Sequence, residues 1–343
     1  MSVRLGIAGA TGVTGEVTLR ILRERDFPVD ELRLFTSRRS AGQRLRFDGR
    51  EIAAEAMDEA DYSGLDIIIS ATPSGVAREW VPRMAEAGPV VIDQSSAFRM
   101  DPSVPIVVPE VNPEAARDHH GIIAGPNCTT AVPLLAVAGL QRGVGIASII
   151  CSSYQSVSGA GRDAMAEFVD HARKALDQLE ALRGHEPLNL PDPEFFPHTL
   201  AFNVVPQCET FPEGSDTSTE EAKMEPEMRK IFGVPDLVVH ATAVRVPVLV
   251  SHSVSLTLSL QREVTPDEAR ELIGSFAGVK VVDDPQSAAY PMPIDAAGID
   301  DVLVGRVRAN PIVPNGLALF ASGDNLRKGN ALNAVQVAEL LTG

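Results

Sequence analysis

The chain has 343 residues, 44% apolar and 5% aromatic, which is enough for two domains of ordinary size and suits an α/β protein. A net charge of −16, from 46 acids against 30 bases, argues against nucleic-acid or anionic-membrane partners, so any anion site must come from local Arg and Lys. Three widely spaced cysteines form no CxxC pair and no disulfide framework, as in a reducing compartment, and no apolar run reaches the roughly 18 residues that span a bilayer.

Met1-Ser2-Val3-Arg4 leads directly into a strand, so no signal peptide is read and a cytoplasmic protein is expected. Val3 to Ala8 reads as a buried strand, followed at once by Gly9-Ala10-Thr11-Gly12-Val13-Thr14-Gly15 and a helical pattern over Glu16 to Arg25. Strand, glycine turn and helix form the context of a dinucleotide fingerprint. The spacing here is GxxGxxG, and an ordinary βα turn has the same outline. Leu32 to Thr36 reads as the second strand. Its end carries Ser37-Arg38-Arg39-Ser40 where an acid would hold an unphosphorylated ribose, and guanidinium forks suit a 2′-phosphate. The sequence favours NADP over NAD, with a solvated basic loop as the alternative.

Asp66 to Ser70, Pro89 to Asp93, Ile106 to Val108 and Gly121 to Ala124 read as further short strands, with a helix over Val76 to Ala87. The last of these strands delivers Gly125-Pro126-Asn127-Cys128-Thr129-Thr130 to the carboxyl edge of the sheet, where ligands bind in doubly wound folds. An apolar run, Ala131 to Leu140, follows. Thr129 and Thr130 suit an N-cap, and Pro133 suits a first helical turn. Cys128 is therefore expected at a helix N-terminus, where the dipole lowers a thiol pKa and favours a nucleophile. A packed, inert cysteine is the plain alternative.

Beyond this helix, Ser148 to Tyr154, Ala241 to Pro247, Ser253 to Gln261 and Val302 to Arg308 read as strands. Met165 to Leu182, Thr265 to Phe276 and Asn330 to Leu341 read as helices, the last with Ala331, Val335, Ala338 and Leu341 on one face. Residues 184–218, rich in Pro, Asn and Asp, read as a long ordered excursion. Cys151 and Cys208 are taken as packing residues.

Several motifs occur in order along the whole chain: Gly9-Ala10-Thr11-Gly12, Arg39-Ser40-Ala41-Gly42, Gly125-Pro126-Asn127-Cys128 and Tyr154 to Gly161. Glu220-Glu221-Ala222-Lys223-Met224, Arg245-Val246-Pro247-Val248 with His252-Ser253, and Asp324 to Gly329 follow. Together they resemble the aspartate-β-semialdehyde dehydrogenase family. The resemblance implies a Rossmann-type NADP-binding domain (1–130 and 329–343) and an α+β catalytic and dimerisation domain with a mixed sheet (131–328). It also implies a homodimer. The implied reaction is reductive dephosphorylation of β-aspartyl phosphate to the semialdehyde, toward lysine, threonine and methionine, with Cys128 as the thioacyl nucleophile. Thioesters accept hydride better than acyl phosphates do, which is why a thiolate is wanted.

The resemblance further implies His252 as the proton-handling imidazole and Gln155 as the orienting amide. Arg245 becomes the substrate-carboxylate fork, and Arg99, Asn127 and Lys223 the phosphate subsite. Ser218-x-x-Glu221 is a capping box, which explains Glu221 structurally and leaves Glu220 for the substrate ammonium. Gly9, Thr11, Gly12, Val13, Thr14, Arg38, Arg39, Ser40, Ser158, Gly159 and Asn325 are implied at the cofactor, and no metal ligand set is assigned. Thr14, Ser251, Val254 and Asn330 depart from the family's usual residues. N-acetyl-γ-glutamyl-phosphate reductase, another acyl-thioester reductase, or a silent NADP-binding relative remain as rival readings.

Overall fold

The computed structural model describes residues 2–184 and 186–343; Met1, His185 and the side chain of Leu182 lie outside the described residues. The N-terminal unit contains β1 (Val3–Ala8), α1 (Val13–Glu24), β2 (Val29–Thr36), β3 (Arg44–Phe47), β4 (Arg50–Ala53) and β5 (Glu55–Ala56), then β6 (Ile67–Ser70), α2 (Ser74–Glu86), β7 (Val90–Asp93) and β8 (Ile122–Ala124). Six of these strands form a parallel sheet in the order β5-β2-β1-β6-β7-β8. Its central strands are apolar without alternation because helices cover both faces. Strand order reverses between β1 and β6, the crevice in which such sheets take ligands. Gly9 turns there at φ +78°, and a Cβ on it would stand 2.6 Å from the carbonyl oxygen of Ala71 beyond β6, so only glycine lets the two turns approach.

Two expectations fail in this unit. Ile106 to Val108 makes a single bridge, Ile106 to Ala124, and not a strand. The hairpin β3–β4 was not anticipated, although its two-residue Asp48-Gly49 loop, with φ of 46° and 74°, is a strong hairpin signal.

The chain then passes into α3 (Cys128–Gly143), which is buried on every side from Thr129 to Leu140. The second unit follows with β9 (Ile146–Gln155), α4 (Arg162–Leu176), α5 (Leu179–Gly184), α6 (Thr219–Phe232), β10 (Val238–Arg245), β11 (His252–Leu260) and α7 (Pro266–Gly274). It is completed by β12 (Val279–Val281), α8 (Pro293–Ala296), β13 (Val302–Ala309) and β14 (Gly316–Gly323). Its mixed six-stranded sheet runs β10-β9-β11-β14-β13-β12 and packs its apolar face on α3. The helix expected over Met165 to Leu182 breaks in two at Asp177. The excursion, whose first residue Gly184 ends α5, holds no helix or strand over residues 186–218, and one bridge ties Val205 to Arg245. The last helix, α9 (Leu332–Thr342), returns to the first core, where Leu332, Val335 and Ala338 pack with Leu5, Ile7 and Ile92. A π-helical turn, Arg327–Ala331, precedes it.

Candidate active site

Cys128 is the first residue of α3, and its N-cap is Asn127 rather than Thr129 or Thr130. The Asn127 carboxamide oxygen accepts from Thr129 N at 2.7 Å. Pro133 falls in the second helical turn, one turn later than expected. Asn127 N donates to Glu227 Oε2 at 2.8 Å, and Thr129 Oγ1 donates to Glu220 Oε1 at 2.6 Å. The helix N-terminus is thus already supplied with acceptors and two carboxylates. This reverses the expected thiol chemistry: burial, with the Glu220 charge added, pushes Cys128 up to about 11, while Arg99, Thr129 and Arg245 pull weakly the other way.

His252, the first residue of β11, is fully buried and holds Nε2 3.5 Å from Cys128 Sγ. Its Nδ1 accepts the backbone N–H of Ser156 at 3.1 Å. That bond assigns the single proton of the neutral ring to Nε2, facing the sulfur. Burial first, and then the charge of Arg245, lower the imidazole to about 3, so the ring is neutral at pH 7. Ser251, immediately before it, adopts φ 76° and donates its N–H to Asn325 Oδ1 at 3.0 Å.

A cleft of about 230 Å³ opens on Cys128 and is lined by Arg99, Asn127, Gln155, Glu220, Lys223 and Arg245 among others. All the substrate residues expected from the sequence meet there, and His252 reaches it only through the sulfur. Burial works to raise the Glu220 pKa, but Lys223 and hydrogen bonds from Thr129 and Asn127 hold it below the usual carboxylate range. Gln155 Nε2 also reaches this carboxylate, at 3.3 Å. Lys223 bridges Glu220 and Glu209, and Arg245 is anchored at the Ser156 carbonyl by NH1 at 2.7 Å. The capping box is present as expected: Glu221 is spent on Ser218 N while Glu220 faces the cleft.

Glu227 was missed. Buried two turns along the same face of α6 as Glu220, it accepts from Arg99 NH1 at 3.1 Å, while Gly125 O and Gln94 O each take one further N–H of that guanidinium and two of its five remain free of these contacts. Two acids seven residues apart among buried Met224, Met228 and Ile231 were the available signal.

A second cleft, about 620 Å³, runs along the switch point and shares Cys128 with the first. It is lined by Gly9, Thr11, Gly12, Val13, Thr14, Arg39, Ser40, Ser158, Gly159 and Asn325. Arg38 is the exception. It turns away to pair with Asp58 and Glu59, a competition the two-Arg pattern could not reveal. The glycine turn, Ser37, Arg39 and Ser40 lining the cleft directly after β2 where an acid would hold an unphosphorylated ribose, and the size of this cleft fit a phosphorylated dinucleotide.

Residues 4–119 match the family model "Semialdehyde dehydrogenase, NAD binding domain" and residues 137–328 match "Semialdehyde dehydrogenase, dimerisation domain". The chain is 44% identical to the aspartate-semialdehyde dehydrogenase of Aquifex aeolicus, over 99% of this chain and 98% of that one. The chain belongs to the aspartate-semialdehyde dehydrogenase family. The Mycolicibacterium smegmatis aspartate-semialdehyde dehydrogenase is likewise 44% identical, over 99% of each chain. The fold matches the crystal structure of aspartate semialdehyde dehydrogenase II from Vibrio cholerae complexed with ASA. That match has a TM-score of 0.92 and 38% identity, over 100% of this chain and 98% of that one. As in its aspartate-semialdehyde dehydrogenase relatives, an α/β fold joins a parallel-sheet nucleotide unit to a mixed-sheet unit. Among the described residues no helix is long and apolar enough to cross a membrane.

Proposed function

We propose that this chain catalyses the NADPH-dependent conversion of L-aspartyl-4-phosphate to L-aspartate-4-semialdehyde and phosphate through a thioacyl intermediate on Cys128. It acts as a cytoplasmic homodimer in lysine, diaminopimelate, threonine and methionine biosynthesis. The observation that carries the reading is the Cys128–His252 contact of 3.5 Å at the meeting point of a charged cleft and a dinucleotide cleft.

In this reading Arg245 takes the substrate α-carboxylate and Glu220 its ammonium, while Lys223, Arg99 and Asn127 take the phosphate. Cys128 attacks the acyl carbon, the C–O bond to phosphate breaks, and the thiol proton leaves with the phosphate. Gln155 holds the acyl group. Because its ring proton sits on Nε2, His252 donates a hydrogen bond to the sulfur and then to the oxygen that becomes anionic as the acyl carbon is reduced. That oxygen's collapse to the aldehyde returns a thiolate, which takes up one proton.

Bound NADPH supplies the hydride. Gly9 to Thr14 would hold its pyrophosphate, Arg39 and Ser40 its 2′-phosphate, and Ser158, Gly159 and Asn325 its nicotinamide end. A substrate with an acylated amine would offer the ionised Glu220 no ammonium, which disfavours the N-acetylglutamyl reading.

The test is phosphate-dependent reduction of NADP with aspartate semialdehyde, set against the N-acetylglutamate analogue. Cys128→Ala is expected to remove activity by on the order of 10³-fold or more, and aspartyl phosphate without reductant should leave a mass adduct on Cys128. Turnover that survives Cys128→Ala removes the thioacyl route.

A further inference from the structure

The two clefts share five residues: Thr72, Pro73, Cys128, Gly159 and Asn330. Only Asn330 among them carries an amide. Its Oδ1 is shielded from solvent and has no hydrogen-bond partner among the described residues, although buried amide oxygens are nearly always paired. The backbone that bears it is anchored through its neighbours. Arg327 pairs with Asp300 and Glu24, and buried Lys328 pairs with Glu110 and donates to Gln336 at 2.6 Å. The turn closes with Ala331 N donating to Leu326 O at 3.0 Å. Gly329 lies so close to the nucleophile that a Cβ on it would meet Cys128 Cβ at 3.0 Å. The backbone at Asn330 is therefore held beside the cysteine, and its side chain lines both clefts there.

The neighbouring amide has no acceptor capacity to spare. Asn325 Oδ1 accepts from Ser156 Oγ at 3.1 Å, Ser158 Oγ at 3.0 Å and Ser251 N at 3.0 Å, so its lone pairs are taken. Among the five residues shared by the two clefts, Asn330 Oδ1 is thus the buried side-chain acceptor without a partner. On the substrate side, the acyl carbonyl and phosphate are acceptors, and the ammonium belongs with Glu220 at the other end. The donor that reaches a junction of this kind is the carboxamide NH2 of a nicotinamide.

We propose that Asn330 Oδ1 accepts a hydrogen bond from the nicotinamide carboxamide and thereby positions the ring against Cys128. This rests on the dinucleotide reading above.

Equilibrium binding tests it without turnover, using NADP+ and its 3-acetylpyridine analogue, in which a methyl replaces the carboxamide NH2. Titrations with the full-length protein should show NADP+ held about 5- to 10-fold more tightly than the analogue, the worth of one hydrogen bond. Asn330→Ala should weaken NADP+ by the same factor and leave the analogue unchanged, so that the variant holds both alike; Asn330→Asp, which keeps the size but offers an acceptor with no donor, should retain the preference for NADP+ over the analogue. Equal weakening of both dinucleotides, or no change in either, overturns the inference and leaves the dinucleotide reading standing. A wild-type chain that binds neither dinucleotide overturns both.

Discussion

Ser156 directs its N–H at the Nδ1 edge of the His252 ring, so the proton of the neutral ring is committed to Nε2, toward Cys128. The neighbouring carboxylate works against that sulfur: Glu220 is ionised and, after burial, is the next cause of the raised thiol pKa. A substrate ammonium placed on Glu220 removes this opposition, so binding and nucleophile activation become linked. The sign can be checked directly. Replacing Glu220 by Gln deletes a negative charge near the thiolate, which lowers the Cys128 pKa from about 11. Alkylation by iodoacetamide at pH 8 should then speed up by up to roughly tenfold, one pKa unit's worth, while KM for aspartate semialdehyde rises. Slower alkylation in Glu220→Gln would mean that the carboxylate activates the sulfur.

At the scale of elements, the proposed function makes the turn after β2 the place where the two dinucleotides are told apart. Arg39 and Ser40 face the cleft, while Arg38 is held by Asp58 and Glu59. Arg39→Ala should raise KM for NADPH about tenfold, as loss of a charge-assisted bond implies, and leave kcat/KM with NADH unchanged; Arg38→Ala should alter neither. Steady-state kinetics with both cofactors reads this out, and equal effects of the two substitutions would sink it. That turn also shows what was legible. The composition Ser-Arg-Arg-Ser announced an anion site, but which guanidinium serves it depends on Asp58 and Glu59, about twenty residues away. The same limit applies at α3. Gly125-Pro126-Asn127-Cys128 placed Cys128 at a helix start, and the Ser218–Glu221 box was readable at three-residue range. The carboxylates of Glu220 and Glu227 that neutralise that helix start arrive from α6 across the fold, and no local spacing encodes them. β14 escaped notice because it is buried on both faces and shows no period-two alternation.

Across the whole molecule, the segment from Arg327 to Thr342 joins the two units. Lys328 is fully buried and its ion pair to Glu110 measures 2.6 Å. Lys328→Ala removes one partner of a buried pair and is expected to cost about 3 kcal/mol or more. Urea unfolding should show this as an earlier midpoint, with activity falling as well because Gly329 packs on Cys128; an unchanged midpoint would refute the tie. The order in which the ribosome delivers these parts adds a further constraint. The first sheet is complete once β8 has emerged, but its core lacks α9 until roughly 200 more residues have been made, a wait of about 10–40 s at ordinary elongation rates. The half synthesised first is thus the half finished last, and during that interval the apolar surface awaiting α9 is a natural client for a chaperone.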